Sequence, residues 1–326
     1  MVSSQKKSFI ILAAVFFLIS GCKRSSEGGV AHEAMPAPTP AQKALVKSQT
    51  PEGELESLCS QLRSAIKKLK WKIEPCKDIE WKIGGYSVQG RPIIYAEFGD
   101  LSSDKNVNLI FSMVHGDEVT PLYIGLELAH WLKSNIQRFP KAKVVVAPLV
   151  NPDGFFRSPR TRMNARGVDC NRNFPTEDWP KRALASWRTK FRSDPRRFPG
   201  NSPASEPETL FQMDLIKRVK PQKMLSIHSP LNFLDYDGPT PVSLNRFPKE
   251  YVQESLRLRK QLRAISGGFF PGSLGNYGGR EIGIPTLTLE LPTANEKMAE
   301  AYWKKFSQGI QTMIEHQLPE RKEKRP

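Results

Sequence analysis

Apolar residues in this chain fall into short runs whose spacing changes from one to the next. Residues 9–19 are continuously apolar and follow Lys6 and Lys7; the run is too short for a bilayer span and suits the core of a signal peptide. Between residues 52 and 70, Leu55, Leu58, Leu62, Ile66 and Leu69 return every three or four positions, which predicts a basic amphipathic helix with that stripe on a core. Residues 83–94 read as strand, glycine-containing turn and strand, a hairpin. A buried strand over 107–114 then leads into a helix over about 120–134 that buries Leu122, Leu126, Ala129 and Leu132. Residues 142–150 form a second apolar strand, broken by the turn Asn151-Pro152-Asp153-Gly154. A further helix starts at Ser205-Glu206-Pro207-Glu208, where Ser205 and Glu208 fit a capping box, and turns Phe211, Leu215, Ile216 and Val219 inward. Short strands over 223–228 and 284–291 follow, then a last helix over about 295–316 with Met298, Tyr302, Phe306 and Ile310 on one stripe. This alternation predicts an α/β fold: a three-layer α/β/α sandwich around a mixed, largely parallel sheet. Ligands in such sheets sit beyond the carboxyl ends of the strands, where His115, Asn151, His228 and Glu290 all fall.

Composition adds a charge and a compartment. The 326 residues, 39% hydrophobic and 25% charged, suffice for one large core or two modest domains. The net charge is +16, and still +14 without residues 1–21, whose only charges are Lys6 and Lys7. Such a surface favours anionic partners. With no basic-aromatic repeat, zinc finger or helix-turn-helix pattern, nucleic acid is not expected among them. The apolar run ends in Leu18-Ile19-Ser20-Gly21-Cys22, which resembles a bacterial lipobox, so residues 1–21 are expected to be a lipoprotein signal peptide and Cys22 the lipidated residue. Residues 22–50, rich in Ser, Gly, Ala and Pro, would be a disordered tether, and the membrane is then touched only through the lipid anchor. Lys23 in the position after the cysteine favours the outer membrane, facing the periplasm. The folded domain is expected over residues 51–318, with 51–80 as an N-terminal helical extension, of which residues 52–80 could cover the cleft, and 319–326 as a charged tail. Of the remaining cysteines, Cys59 and Cys76 could pair in an oxidising compartment, and Cys170 reads as a small buried residue.

The histidines narrow the chemistry. His32 lies in the tether, His130 inside a helix and His316 at the end of the last one, leaving His115 and His228, both closing apolar strands. With Glu118 they make a His, Glu, His set with a fourth position open, the pattern of a catalytic rather than a structural zinc site. Glu290 in Leu289-Glu290-Leu291-Pro292 is a carboxylate in an apolar strand, a setting that is either paired or functional.

The stretch Arg160-Thr161-Arg162-Met163-Asn164-Ala165-Arg166-Gly167-Val168-Asp169-Cys170-Asn171-Arg172-Asn173-Phe174-Pro175 makes a resemblance specific. Together with Gly90-Arg91-Pro92, His115 and Glu118, Asn151-Pro152-Asp153-Gly154, Ser205-Glu206-Pro207-Glu208-Thr209, Ser226-Ile227-His228-Ser229-Pro230 and Leu289-Glu290-Leu291-Pro292, in that order, the sequence resembles the M14 zinc carboxypeptidase family over about residues 80–316. Within it, the sequence closely resembles the bacterial murein peptide amidases. The resemblance implies one Zn²⁺ held by His115, Glu118 and His228, with Asp169 accepting the other ring N–H of His115. It implies Glu290 as general base toward a metal-activated water, Arg162 as oxyanion stabiliser, and Asn171, Arg172 and Ser229 as substrate-binding residues. The tyrosine that many relatives carry ahead of the Gly-Ser preceding the glutamate is missing from Gly267-Gly268-Phe269-Phe270-Pro271-Gly272-Ser273; Tyr277 or Tyr236 is the candidate to replace it.

The same resemblance implies a substrate: the γ-D-glutamyl–meso-diaminopimelate bond of peptidoglycan stem peptides or muropeptides. A general metallocarboxypeptidase and a non-catalytic wall-binding lipoprotein are the alternatives. The basic stretch with Lys181, Arg182, Arg188, Lys190, Arg192, Arg196 and Arg197 is either a solvated loop or a rim that attracts carboxylate-rich peptides.

Overall fold

A computed structural model describes residues 50–102, 104–268 and 270–323. The expected signal peptide, nearly all of the tether and Cys22 lie outside the described residues. The elements run α1 (Pro51–Lys68), β1 (Lys82–Tyr86), β2 (Pro92–Gly99), β3 (Val107–Ser112), α2 (Val119–Asn135), β4 (Lys143–Ala147) and α3 (Pro152–Phe156). They continue with α4 (Trp179–Thr189), α5 (Pro207–Val219), β5 (Lys223–His228), β6 (Phe233–Asp237), α6 (Lys249–Gln261), β7 (Thr286–Glu290) and α7 (Ala299–Glu315), with single-turn helices between. No helix among the described residues is long and apolar enough to cross a membrane.

The seven strands form one sheet in the order β1-β2-β4-β3-β5-β7-β6. The four central strands β4, β3, β5 and β7 are parallel; β1, β2 and β6 are antiparallel to their neighbours. Because side chains alternate along a strand, each buried strand feeds two cores. Ile94, Ala96, Ile110, Val144, Val146, Leu225, Ile227, Leu287 and Leu289 pack with α1, α2 and α7. Ile93, Tyr95, Leu109, Phe111, Val145, Ala147 and Met224 pack on the other face with Phe211, Leu215 and Ile216 of α5. The expected sandwich of helices on both faces of a mixed sheet is what forms.

Chain order places the functional end. From β3 the chain moves outward to β4 on one side, and the later strands β5 and β7 build on the other. The carboxyl ends of β3 and β5 therefore flank the point where the strand order reverses, the crevice in which α/β sheets bind ligands.

Two expectations need correction. Ser205 and Glu208 form no capping box: α5 starts at Pro207 with no side-chain cap, because Glu208 is buried and spends its carboxylate on Val88 N–H and on Asn164. Met298 is 39% exposed and precedes α7 rather than joining its buried stripe. The segment 51–80 packs onto the core. Leu58, Leu62 and Ile66 bury into the α2/α7 core, the Trp71 indole N–H donates to Glu296 O at 2.9 Å, and a Cys59–Cys76 disulfide closes the segment.

Candidate metal centre

The turn after β3 is shaped by close backbone contact. Met113 takes a positive φ of 54°, and its carbonyl accepts from Asn151 N at 2.9 Å. A Cβ on Gly116 would meet Gly154 C at 2.2 Å, so only glycine allows the two turns to touch. This seats His115 and Glu118 at the start of α2, while β5 ends on His228. All three are buried, and one ligand atom from each lies within 4.8 Å of the others. His115 Nδ1 stands 2.7 Å from Glu118 Oε1 and 3.1 Å from His228 Nδ1; His228 Nδ1 is 3.0 Å from Glu118 Oε2.

Each ring's other nitrogen is engaged from behind. His115 Nε2 meets Asp169 Oδ1 at 3.1 Å, and His228 Nε2 meets Ser226 Oγ at 2.9 Å. Both imidazoles thus turn Nδ1 toward the shared point, as ligating histidines do when an outer partner fixes the tautomer. Two imidazole nitrogens and a carboxylate, buried and converging, are a donor set that fits zinc. Ser226 was read only as part of its motif and given no role, although its position two residues before His228 in a strand puts both on one face.

Strong charges surround the point. Burial alone would raise Glu118, yet the histidines beside it hold its carboxyl far below the usual range. Burial likewise opposes ionisation of Asp169, but Arg162 and His115 keep it well below its ordinary value. Arg162 Nε donates to Asp169 Oδ2 at 2.9 Å, and its Nη1 lies 3.2 Å from Glu118 Oε1 and 3.0 Å from His115 Nδ1. Asp117 beside the cluster is paired with Arg196 at 2.8 Å, so one residue of the basic stretch reaches the crevice.

Glu290 sits across from His228 in the β5–β7 register, half-buried, with Oε2 accepting from Leu231 N at 3.4 Å. Asn171 Oδ1 accepts from Leu274 N. Burial pulls the Arg172 guanidinium down to about 10, and its Nε has no hydrogen-bond partner among the described residues. Ser229 donates its backbone N–H to Glu118 Oε2, and its buried hydroxyl is also unpartnered there. Neither tyrosine candidate joins the cluster: Tyr236 is buried with its hydroxyl on Pro239 O, and Tyr277 stacks on Phe174. Phe270 instead lies 4.7 Å from the Arg172 guanidinium carbon. Cys170 is buried, and burial pushes its thiol well up, leaving it inert.

The chain is 29% identical over 221 residues to murein peptide amidase A of Escherichia coli, covering 67% of this chain and 84% of that protein. It is 31% identical over 211 residues to murein peptide amidase A of Vibrio campbellii, covering 64% and 77%. The crystal structure of the murein-tripeptide amidase of Escherichia coli O157 superimposes with a TM-score of 0.50 at 24% identity, over 72% of this chain and 91% of that one. Bovine thrombin-activatable fibrinolysis inhibitor superimposes at 0.56 and 18% identity, over 80% and 96%. The zinc carboxypeptidase profile matches residues 74–323: with its His, Glu, His cluster inside that span, the chain belongs to the M14 zinc carboxypeptidase family and is a metallopeptidase.

Proposed function

We propose that this protein is a zinc amidopeptidase that hydrolyses the γ-D-glutamyl–meso-diaminopimelate bond of peptidoglycan stem peptides, working from a lipid anchor at Cys22 on a periplasmic membrane face. The observation that carries the chemistry is the convergence of His115 Nδ1, His228 Nδ1 and the Glu118 carboxylate on one buried point. His115, Glu118 and His228 would hold zinc there, and the ion, when bound, would supply Lewis-acid polarisation of the scissile carbonyl and a water acidified to a pKa of about 7.

The chain's own residues divide the remaining work. Asp169, ionised and bonded to His115 Nε2, holds the ring with Nδ1 toward the metal. Glu290, beside His228 and paired with no cation among the described residues, takes the proton of the attacking water and gives it to the departing amine. Arg162 places a fixed positive charge where the carbonyl oxygen becomes an oxyanion. Asn171 and Arg172 grip the free carboxylate of the departing residue; the unpartnered Arg172 Nε supplies a donor that its own fold does not use. Ser229 offers its free hydroxyl on the substrate side.

The bond is chosen from the similarity to the two murein peptide amidases, which spans most of their length. The test is mass spectrometry of wall tripeptide and of peptides ending in Lys or Phe, each incubated with purified protein with and without chelator. Chelator-sensitive release of diaminopimelate, faster than release of Lys or Phe, is expected. Faster release from the plain peptides would make the protein a general carboxypeptidase.

A further inference from the structure

The loop that carries Arg162, Asp169, Asn171 and Arg172 is fastened from behind by a buried cluster that holds no metal ligand. Asn164 is 1% exposed and uses all of its hydrogen-bonding capacity. Its Nδ2 donates to Glu206 Oε2 at 2.6 Å and to Glu208 Oε2 at 2.9 Å. Its Oδ1 accepts from Arg166 N at 3.0 Å and Val168 N at 3.1 Å, and its backbone N–H donates to Val168 O. One amide therefore closes the 164–168 turn, in which Gly167 supplies the positive φ of 76°, and binds that turn to the head of α5.

The two carboxylates have few other partners. Glu206 accepts from Ser205 Oγ at 2.7 Å and has the half-exposed Arg166 at 3.6 Å. Glu208 accepts from Val88 N, with the Cys170 thiol 4.0 Å away. Asp153, itself bonded to Arg91 and Ser87, adds a like charge near Glu208. Glu206 has only that one distant cation and Glu208 has none among the described residues; buried carboxylates so placed need neutral donors, and the asparagine amide is the donor both glutamates share.

We infer that Asn164, held by Glu206 and Glu208, is a positioning residue for the metal centre. It sets where Arg162, two residues earlier, and Asp169, five residues later, stand relative to His115. Moving the turn would disturb the Asp169 Oδ1 to His115 Nε2 contact and the Arg162 contacts together, since Arg162 and Asp169 are bonded to each other. The inference rests on the zinc reading above.

The experiment uses the full-length protein with Asn164→Ala and the nearly isosteric Asn164→Asp, and two readouts. One is zinc affinity, by competition with a chelator at pH 5.5 and pH 8. The other is the His115 ring Nε2–H signal of the metal-free protein by ¹⁵N NMR, normalised to thermal midpoints. Asn164→Ala should lose about 10–100-fold in zinc affinity, the range seen when the outer partner of a ligating histidine is disturbed, and should lose the ring N–H signal. Asn164→Asp should show the same loss at pH 8, where three carboxylates crowd together. The gap to wild type should narrow at pH 5.5, where its acid form can donate. If both variants keep wild-type affinity and the ring signal, the inference is overturned. Should Asn164→Ala fail to fold, Asn164→Asp decides alone: an equal deficit at both pH values overturns the inference. A wild type that takes no zinc but shows the ring signal, lost in the variants, would sink the metal reading and leave the positioning intact.

Discussion

Glu290 and His228 face each other across the β5–β7 register, yet only His228 belongs to the ligand set. Glu290→Gln should therefore retain bound zinc while turnover falls by about 10²–10⁴-fold, the usual worth of a positioned acid–base group; metal content and wall-tripeptide turnover on one sample check it. His115, Glu118, Asp169 and His228 were legible in sequence because each closes an apolar run or stands in an ordered motif. Asn164 was read only as part of its motif and given no role, because its partners lie 42 and 44 residues away. The packing of Phe270 against the Arg172 guanidinium depends on a loop conformation that no periodicity encodes. Glu208 reports on its burial through pH. Its folded value is pushed up to about 7 from 4.5, so the native state holds the extra proton between those values. The stability it contributes is full below 4.5 and is lost as pH rises through 7. Glu208→Gln should flatten the fall of the thermal midpoint across that window, measured on metal-free protein.

At the level of elements, the helix of residues 51–68 and the central strands were legible because their apolar spacing agrees with where each packs. The end strand β6 was missed: Phe233-Leu234-Asp235-Tyr236-Asp237 mixes acids with apolar residues and carries no clean alternation. α4 and α6 were missed too, since their exposed faces are densely basic and only Trp179 and Ala183, or Tyr251, Val252, Ser255 and Leu258, are buried. The capping-box expectation failed for a different reason, a tertiary pull on Glu208 that outweighs the local signal. The Cys59–Cys76 bond joins α1 to the segment beyond it over a separation of 17 residues. Closing a loop of that size contributes about 3 kcal/mol. The Cys59→Ala/Cys76→Ala pair should lower the denaturant-derived stability by that order while leaving zinc binding unchanged, because Cys76 packs against the α2/α7 core and neither cysteine is near the ligand set His115, Glu118 and His228 in the contacts it makes.

Across the whole molecule, a charge of +16 surrounds a centre that is itself rich in carboxylates. On the proposed substrate, capture of anionic wall fragments should weaken as salt rises from about 0.01 to 0.15 M, where the screening length shrinks from about 30 to 8 Å; the association rate of a labelled muropeptide measures it. The strand-order reversal was readable only as a tendency of the α/β class; which strands flank it needed the sheet. Its effect on assembly is plain. His115 and Glu118 hang from β3, and His228 arrives on β5, 113 residues later, so a growing chain offers the ion only two teeth of a clasp until those strands dock. Tight capture of the proposed metal would then come late, and once made it would pin the middle of the sheet from its rim.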